Sequence, residues 1–141
     1  MELRRNVKGP LRQMTEPPLI ADDACRKVIG AAIEVHGILG PGFPEHVYDE
    51  ALAIELEIRN ISFVRQSPHP LLYKGQAIGS GRADFMVEKV LIVELKAQDV
   101  LLPIHLAQVI SYLKATELRL GLIINFNVLR LRDGIRRVVT T

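Results

Sequence analysis

Residues 90 to 97 read Val-Leu-Ile-Val-Glu-Leu-Lys-Ala, and this short segment constrains the fold more than any other part of the chain. It is apolar at even and odd positions alike until Glu94, as expected for a strand whose two faces are both covered. Glu94 and Lys96 lie two residues apart, so their side chains leave the strand on the same face. Burying a carboxylate and an ammonium group is costly unless they pair with each other or with a metal ion. The segment therefore predicts a central strand that carries a charged site.

Three stretches have the apolar spacing of amphipathic helices. The first runs from about residue 22 to residues 37–40, and the second from residue 44 or 45 to residue 60, after a Gly-Pro-Gly breaker. The third begins near residue 103, where a proline suits the first helical turn. The second helix is expected to bury one apolar stripe, formed by Val47, Ala51, Ile54 and Ile58.

The remaining apolar runs are short and predict strands. Between residues 61 and 87 they alternate with Pro, Gly and Ser, which is typical of antiparallel strands. Residues 118–125 predict a further buried strand. A hairpin is expected at the end of the chain, where residues 128–132 and 135–139 flank the turn Asp133-Gly134. The order of elements predicts an α/β domain in which helices flank a mixed central sheet.

Length and composition bound what else the chain can be. A chain of 141 residues fits one domain, which we expect to span residues 19–141 after a flexible tail at residues 1–18, with Met14 as an alternative start. The single cysteine, Cys25, lies on an apolar helix face and excludes an internal disulfide. No apolar run approaches the roughly 18 residues of a membrane span, so a cytoplasmic protein that does not enter membranes is expected. The formal charge of +2 gives only a weak general attraction to nucleic acid.

Asp84 offers a second carboxylate to the charged site, on the strand before Glu94 in the chain. Directly opposed residues of a hairpin share a face and their numbers sum to a constant, so Asp84 opposite Glu94 requires a sum of about 178. A two-residue turn at Glu88 and Lys89 would give about 177 and would send the two carboxylates to opposite faces. We therefore predict a three-residue loop or a bulge near residues 88–90.

Two carboxylates on one face can share a hard cation such as Mg²⁺, which prefers oxygen ligands, and Mn²⁺ can replace it. With a phosphodiester substrate, such an ion polarises a phosphoryl oxygen and acidifies water. Lys96 would then position the attacking water and offset negative charge. The alternative is a plain ion pair at the margin of the sheet, and the spacing of Asp84, Glu94 and Lys96 alone does not decide between the two.

The helices add further polar candidates. Glu45 can lean over the sheet from the start of the second helix, or can merely favour the positive end of the helix dipole. On the third helix His105, Gln108 and Tyr112 form a polar stripe, where Gln and Tyr could hold a substrate phosphate. His36 and His105 lack a partner histidine at helical spacing, so a structural role or a substrate contact is favoured over metal binding.

Arginines near the C-terminus form the last candidate surface. They crowd the predicted hairpin and could guide a phosphate backbone, although charged residues also protect exposed sheet edges. The residues concerned are Arg119, Arg130, Arg132, Arg136 and Arg137.

The motifs together resemble one known family. Gly42 to Tyr48 reads Gly-Phe-Pro-Glu-His-Val-Tyr, and further matching stretches are Tyr73-Lys74-Gly75, Arg82-Ala83-Asp84-Phe85, Ile92 to Ala97, Gln108 through Thr116, and Gly121 to Phe126. This pattern is similar to the small GxxExxY proteins of the PD-(D/E)XK nuclease superfamily, in its RecB-like branch. One departure is Ala83, which stands where the superfamily usually has a proline before the metal-binding aspartate.

The resemblance implies a restriction-endonuclease-like core of αβββαβ order with a mixed sheet. It implies that Asp84 and Glu94 bind Mg²⁺ or Mn²⁺ together with the Leu95 carbonyl oxygen, and that Glu45 is the acid of the first core helix, acting directly or through water. By the same resemblance Lys96 is the catalytic lysine, and Gln108 and Tyr112 form a Gln-xxx-Tyr motif that lines the active site.

The function expected from these residues is metal-dependent hydrolysis of phosphodiester bonds in nucleic acid, DNA first and RNA second. A homodimer or a protein partner would help so small a chain to hold duplex substrate. The alternative is a non-catalytic accessory module that keeps the fold and binds nucleic acid or protein.

Overall fold

The computed structural model describes residues 2–3 and 19–140. Helices and strands alternate in an α/β arrangement, with α1 (Leu19–Leu39) and α2 (Glu45–Ile58) preceding most of the sheet and α3 (Pro103–Thr116) lying between two of its strands. The strands are β1 (Glu2–Leu3), β2 (Phe63–Tyr73), β3 (Gln76–Val87), β4 (Leu91–Lys96), β5 (Leu120–Asn125) and β6 (Ile135–Val139). From α2 to β5 the order is the predicted αβββαβ.

The strands form one mixed sheet in the order β1-β6-β5-β4-β3-β2. β4 and β5 are parallel and are joined through α3, whereas the other neighbouring strands are antiparallel. β4 is completely buried up to Leu95, and β5 is buried along its whole length. The predicted central position of residues 90–97 is therefore confirmed.

Apolar side chains pack on both faces of the sheet. α1 and α2 cover one face through a large cluster that includes Phe85, Leu95 and Phe126. α3 covers the other face through a smaller cluster that includes Ile92, Val109 and Ile123. Cys25 is buried within the first cluster, as expected.

The prediction for the buried side of α2 was wrong. Ile54 and Ile58 are 58% and 67% exposed, whereas Tyr48, Leu52 and Leu56 are fully buried against the sheet. The helix carries two apolar stripes, and periodicity alone does not say which one faces the core. The structure selects the stripe that contains Tyr48, and this choice also sets the direction of Glu45 one turn earlier.

The two ends of the β2–β3 hairpin pack against different helices. Phe85 belongs to the cluster under α1 and α2, yet Ala83, two residues earlier, belongs to the cluster under α3. In a regular strand these two side chains would lie on the same face. The interruption lies at Asp84 and its neighbour Gln66, which has a positive φ of 51° inside β2 and is missing from the ladder between the strands. We call the part beyond this point, residues 67–83, the ribbon.

The C-terminal hairpin exists, but not around the predicted turn. β6 pairs with β5, and Asp133 and Gly134 belong to a 3₁₀ turn before β6 rather than to a tight loop between two strands. The expected flexible tail falls mostly outside the described residues, apart from the pairing of Glu2 and Leu3 with β6. Within the described part of the chain, no helix combines the length and the apolar character that crossing a membrane requires.

Candidate active site

The loop between β3 and β4 has the length that the carboxylate register requires. Val87 pairs with Leu91, and Phe85 with Val93, so opposed residues sum to 178 and three residues are left in the loop. Glu88 and Lys89 adopt positive φ values of 51° and 61° to close it. The predicted three-residue loop is confirmed, and the same register continued by one step places Asp84 opposite Glu94.

Beyond Phe85 and Val93, where the backbone pairing of β3 with β4 ends, side-chain carboxylates accept the hydrogen bonds between the two strands. The Asp84 N–H donates to Glu94 Oε1 at 2.9 Å, and the Leu95 N–H donates to Asp84 Oδ2 at 2.8 Å. Each carboxylate thereby has one oxygen fixed to the backbone of the neighbouring strand. The Gln66 side chain also hydrogen-bonds to the Asp84 carboxylate, which favours its ionised form. Glu94 Oε2 makes no hydrogen bond among the described residues, so it remains available to a ligand.

Burial and mutual repulsion disfavour the ionised forms of these carboxyl groups. Burial, followed by the charge of Asp84, raises the pKa of Glu94 to about 8. Burial also raises the pKa of Asp84, in part opposed by the hydrogen bond from Leu95. Lys96 favours the ionised form of both groups without outweighing burial. Closely spaced carboxyl groups with raised pKa values are typical of sites that operate with additional positive charge.

Glu45 reaches the same site from the first turn of α2. Burial raises the pKa of Glu45, and the next largest influences are the charges of Asp84, which raises it, and Lys96, which lowers it. Glu45 also contributes to the raised pKa of Glu94. The structure therefore brings Glu45, Asp84, Glu94 and Lys96 into one electrostatic neighbourhood.

The Gly-xx-Glu-xx-Tyr sequence has a structural explanation. Gly42 adopts a φ of 105°, which L side chains rarely adopt. The fully buried Tyr48 donates its hydroxyl hydrogen to the Gly40 carbonyl at 2.6 Å and accepts the Phe43 N–H at 3.2 Å. Its ring stacks on Phe126 with centroids 4.5 Å apart. Gly42 and Tyr48 thus fix the loop that precedes α2, and this loop sets the position of Glu45.

Backbone geometry also orients the Leu95 carbonyl. The N–H and C=O of one strand residue point to the same side. Because the Leu95 N–H donates to Asp84, its carbonyl oxygen also points toward β3. The next carbonyl, of Lys96, points the other way and accepts the Phe126 N–H at 2.9 Å. The oxygen that the family resemblance implicates is therefore on the correct side of β4.

Of the two candidates on α3, one lies close to the carboxylates. The pKa of Tyr112 is raised first by burial and then by the charges of Glu94 and Asp84. Gln108 is exposed, and it has no hydrogen bond to the carboxylates among the described residues. The structure brings Tyr112 to the site and leaves Gln108 at the surface one turn away.

His69 was not predicted as a site residue. Its ring meets the Tyr112 ring edge to face, with centroids 4.7 Å apart, and its side chain is buried. Gly81 permits this contact, because a Cβ there would lie 2.5 Å from His69 Nε2 and 3.1 Å from the Tyr112 ring. Burial lowers the pKa of His69, which favours the neutral ring. No spacing in the sequence indicates this pair, because β2 and α3 meet only in the folded chain.

A cavity of about 360 Å³ opens beside the site on the α2 side. Its lining combines side chains of α2 with others of β2 and β3: Glu45, His46, Asp49, Glu50, Arg65, Gln66 and Asp84. Arg65 binds both Asp49 and Glu50, the latter at 2.7 Å. Asp49 also raises the pKa values of Asp84 and Glu45. In the sequence, the only indication that Asp49 belongs to the site is its position one helical turn after Glu45.

The two histidines considered as metal ligands have structural roles. His36 Nε2 lies 2.8 Å from the Val128 carbonyl oxygen, as a donor. His105 Nδ1 accepts the Leu102 N–H at 3.0 Å at the start of α3. Of the C-terminal arginines, Arg136 and Arg137 lie on β6, which is separated from β4 by β5. Arg137 there binds Asp22 of α1. A contact of these arginines with nucleic acid stays a prediction.

The donors fit a divalent cation only in part. Among residues 19–140, no three side chains of His, Cys, Asp or Glu lie close enough to enclose a metal ion by themselves. The carboxylates of Asp84 and Glu94 and the Leu95 carbonyl are oxygen donors at one place. Mg²⁺ commonly binds through one or two carboxylates while keeping several waters. This chemistry matches Mg²⁺ or Mn²⁺ better than a metal that needs a closed protein shell.

Comparison with known proteins agrees with the fold. A family model described as the PD-(D/E)XK nuclease superfamily matches residues 22–138. This range contains the candidate site residues of α2 and α3, strands β2 to β5 and all but the last residue of β6. The chain belongs to the PD-(D/E)XK nuclease superfamily. Members of this superfamily are typically nucleases and usually use Mg²⁺ or Mn²⁺. Neither the curated proteins nor the solved structures gave a match. The narrower likeness to GxxExxY proteins stays a prediction.

Proposed function

We propose that this chain is a nuclease that hydrolyses phosphodiester bonds in nucleic acid, with DNA as the first substrate to test and Mg²⁺ or Mn²⁺ as its cofactor. The observation that carries the proposal is the pair Asp84 and Glu94. Each has one oxygen tied to the backbone of the adjacent strand, and Glu94 keeps its other oxygen without a hydrogen bond in the described residues. A buried pair that served only the fold would be expected to close on a lysine or arginine, and no ion pair within 4.0 Å does so in the described residues.

Asp84 and Glu94 would hold the cation, with the Leu95 carbonyl oxygen as a third donor and Glu45 as a further donor, directly or through water. When bound, the cation supplies the charge that activates a water molecule and stabilises the phosphoryl oxygens during attack. Lys96 shares the face of Glu94, so its ammonium group can orient the attacking water and offset the growing negative charge. Tyr112, beside both carboxylates, can donate its hydroxyl hydrogen to a phosphate oxygen.

Cleavage assays with Lys96→Ala test this assignment. Purified wild-type protein is incubated with Mg²⁺ or Mn²⁺ and with single-stranded, duplex and branched DNA, and with RNA. We expect Lys96→Ala to lower the cleavage rate at least about 100-fold, because the charge acts mainly in the transition state. Manganese binding, followed by calorimetry, should persist in this variant. Lys114→Ala, which removes an exposed lysine of α3, is the matched control and should cleave normally.

A different outcome would support the non-catalytic alternative. If clean wild-type protein binds these oligonucleotides but cleaves none of them with either metal, the chain acts as a binding module that keeps the nuclease fold. Equal cleavage by wild type and Lys96→Ala would instead point to a contaminating nuclease and would remove Lys96 from the mechanism.

A further inference from the structure

The ribbon, residues 67–83, has one face that no other part of the described chain covers. Directly opposed residues share a face, so the pairs His69–Gly81 and Ser67–Ala83 lie on one side, toward α3. The pairs on the other side are Pro68–Arg82 and Pro70–Ser80, and all four of these residues are exposed. We call this side the outer face.

The composition of the ribbon is unlike that of the rest of the chain. Asp and Glu account for 16 of the 141 residues, yet none of them lies between residues 67 and 83. Lys74 and Arg82 are the charged side chains of the ribbon. Its surface is therefore positive, whereas the cavity beside it is lined by four carboxylates and one arginine. A polyanion would favour the ribbon over the cavity.

The tip of the ribbon adds an aromatic surface. Tyr73 is 61% exposed, and the Lys74 ammonium lies 5.4 Å from the centre of its ring. An exposed ring next to a cation is the combination that binds single-stranded nucleic acid, because a base stacks on the ring while the cation neutralises phosphate. Leu72 and Ile78, which are 61% and 67% exposed, enlarge the apolar area at the tip.

The ribbon leads directly to the carboxylate site. Arg82 is two residues before Asp84 on the same strand, and the interruption at Gln66 marks where the ribbon begins. From Asp84 to Gln76 the strand extends roughly 26 Å at about 3.3 Å per residue. A stacked nucleic-acid strand covers that length with about eight nucleotides. A strand bound along the outer face would therefore enter the site from one fixed direction.

We propose that the outer face and the exposed tip of the ribbon bind the unpaired nucleic-acid strand on one side of the cleavage position. Arg82 and Lys74 contact its phosphates, and Tyr73 stacks on a base. This inference rests on the proposed nuclease function and specifies how the same site receives its substrate.

Binding to oligonucleotides in EDTA tests the ribbon separately from catalysis. The probes are fluorescein-labelled single strands of DNA and RNA and the matching DNA duplex, followed by anisotropy at low salt. We expect Arg82→Glu and Tyr73→Ala each to weaken single-strand binding by about tenfold or more, and Tyr73→Phe to restore it, because stacking needs the ring and not the hydroxyl. Arg82→Glu should also flatten the salt dependence of binding, since a phosphate contact is lost.

Arg26→Glu provides the matched control, because Arg26 is an exposed arginine on α1. It should bind like the wild type, and circular dichroism should show that all the variants are folded. Unchanged affinity in both Arg82→Glu and Tyr73→Ala would overturn the ribbon proposal, even if the wild type cleaves DNA. Conversely, ribbon-dependent binding by a wild type that cleaves nothing would leave the ribbon proposal standing and remove the proposed nuclease function. If the substitutions weakened binding to the duplex but not to single strands, that result would also overturn the single-strand assignment.

Discussion

Replacing Glu94 with glutamine should stabilise the metal-free protein, although it removes a charged group that the proposed chemistry needs. Glutamine keeps an oxygen that can accept the Asp84 N–H, which donates to Glu94 at 2.9 Å. It removes a titratable group that is 7% exposed and whose ionised form is disfavoured by burial and by Asp84. The variant therefore removes repulsion and the cost of burying an ion while it preserves the hydrogen bond.

The magnitude depends on pH. The pKa of Glu94 rises from 4.5 in a free side chain to about 8 in the folded protein, so its ionised form is less favourable in the folded state. The raised pKa lowers the unfolding free energy of the wild type. This loss is absent below pH about 4.5, grows as pH rises and is complete above pH about 8. From this pKa difference, the unfolding free energy of the wild type is lowered by about 3 kcal/mol near pH 7 and by about 1 kcal/mol near pH 5.

Urea unfolding in EDTA near pH 5 and pH 7 measures the effect. Glu94→Gln should exceed the wild type in unfolding free energy by about 3 kcal/mol near pH 7, and the gain should shrink toward pH 5. Glu57→Gln, on the exposed side of α2, is the control and should show no gain. Adding Mg²⁺ at about ten times its dissociation constant should stabilise the wild type by about 1.4 kcal/mol and leave Glu94→Gln unchanged. A Glu94→Gln protein less stable than the wild type near pH 7 would refute the reasoning.

Two further perturbations follow from the site. Tyr48→Phe should lower the unfolding free energy by about 1 to 3 kcal/mol, since the Gly40 carbonyl and the Phe43 N–H lose their buried partner; an unchanged urea midpoint would contradict that role. Deleting Lys89 should shorten the β3–β4 loop to two residues and abolish stabilisation by Mn²⁺ in thermal unfolding, because the carboxylates then face opposite sides. Lys89→Gly, which keeps the loop length and suits the positive φ, should retain the Mn²⁺ effect, and its loss would show that length is not the cause.

The sequence predicted the central strand, the three helices and the β3–β4 register, because each rests on local periodicity or on counting along a hairpin. The register is the clearest case, since the requirement that Asp84 and Glu94 share a face is enough to determine the length of the β3–β4 loop. The buried side of α2 could not be decided in this way. Its two apolar stripes are equally periodic, and the stacking of Tyr48 on Phe126, far away in the chain, selects between them.

Within the site, sequence reasoning found the residues that lie on β3, β4 and the start of α2. It missed Asp49, Arg65 and His69, because their relation to the site depends on contacts between separate elements. The contact of His69 with Tyr112 requires that β2 change its packing face at Gln66, and no pattern of side chains signals a positive φ at a glutamine.

The change of packing face at Asp84 also divides the molecule into parts that can open separately. The ribbon rests on α3, whereas β4 is buried at the centre of the sheet. Local opening of the ribbon should therefore cost less free energy than global unfolding, and its amide hydrogens should exchange faster than those of β4. Asp84 lies at the boundary and Glu94 lies in the slow part. A cation held by both residues would join the two parts into one cooperative unit, so ligand binding at a single point would slow hydrogen exchange along the whole ribbon.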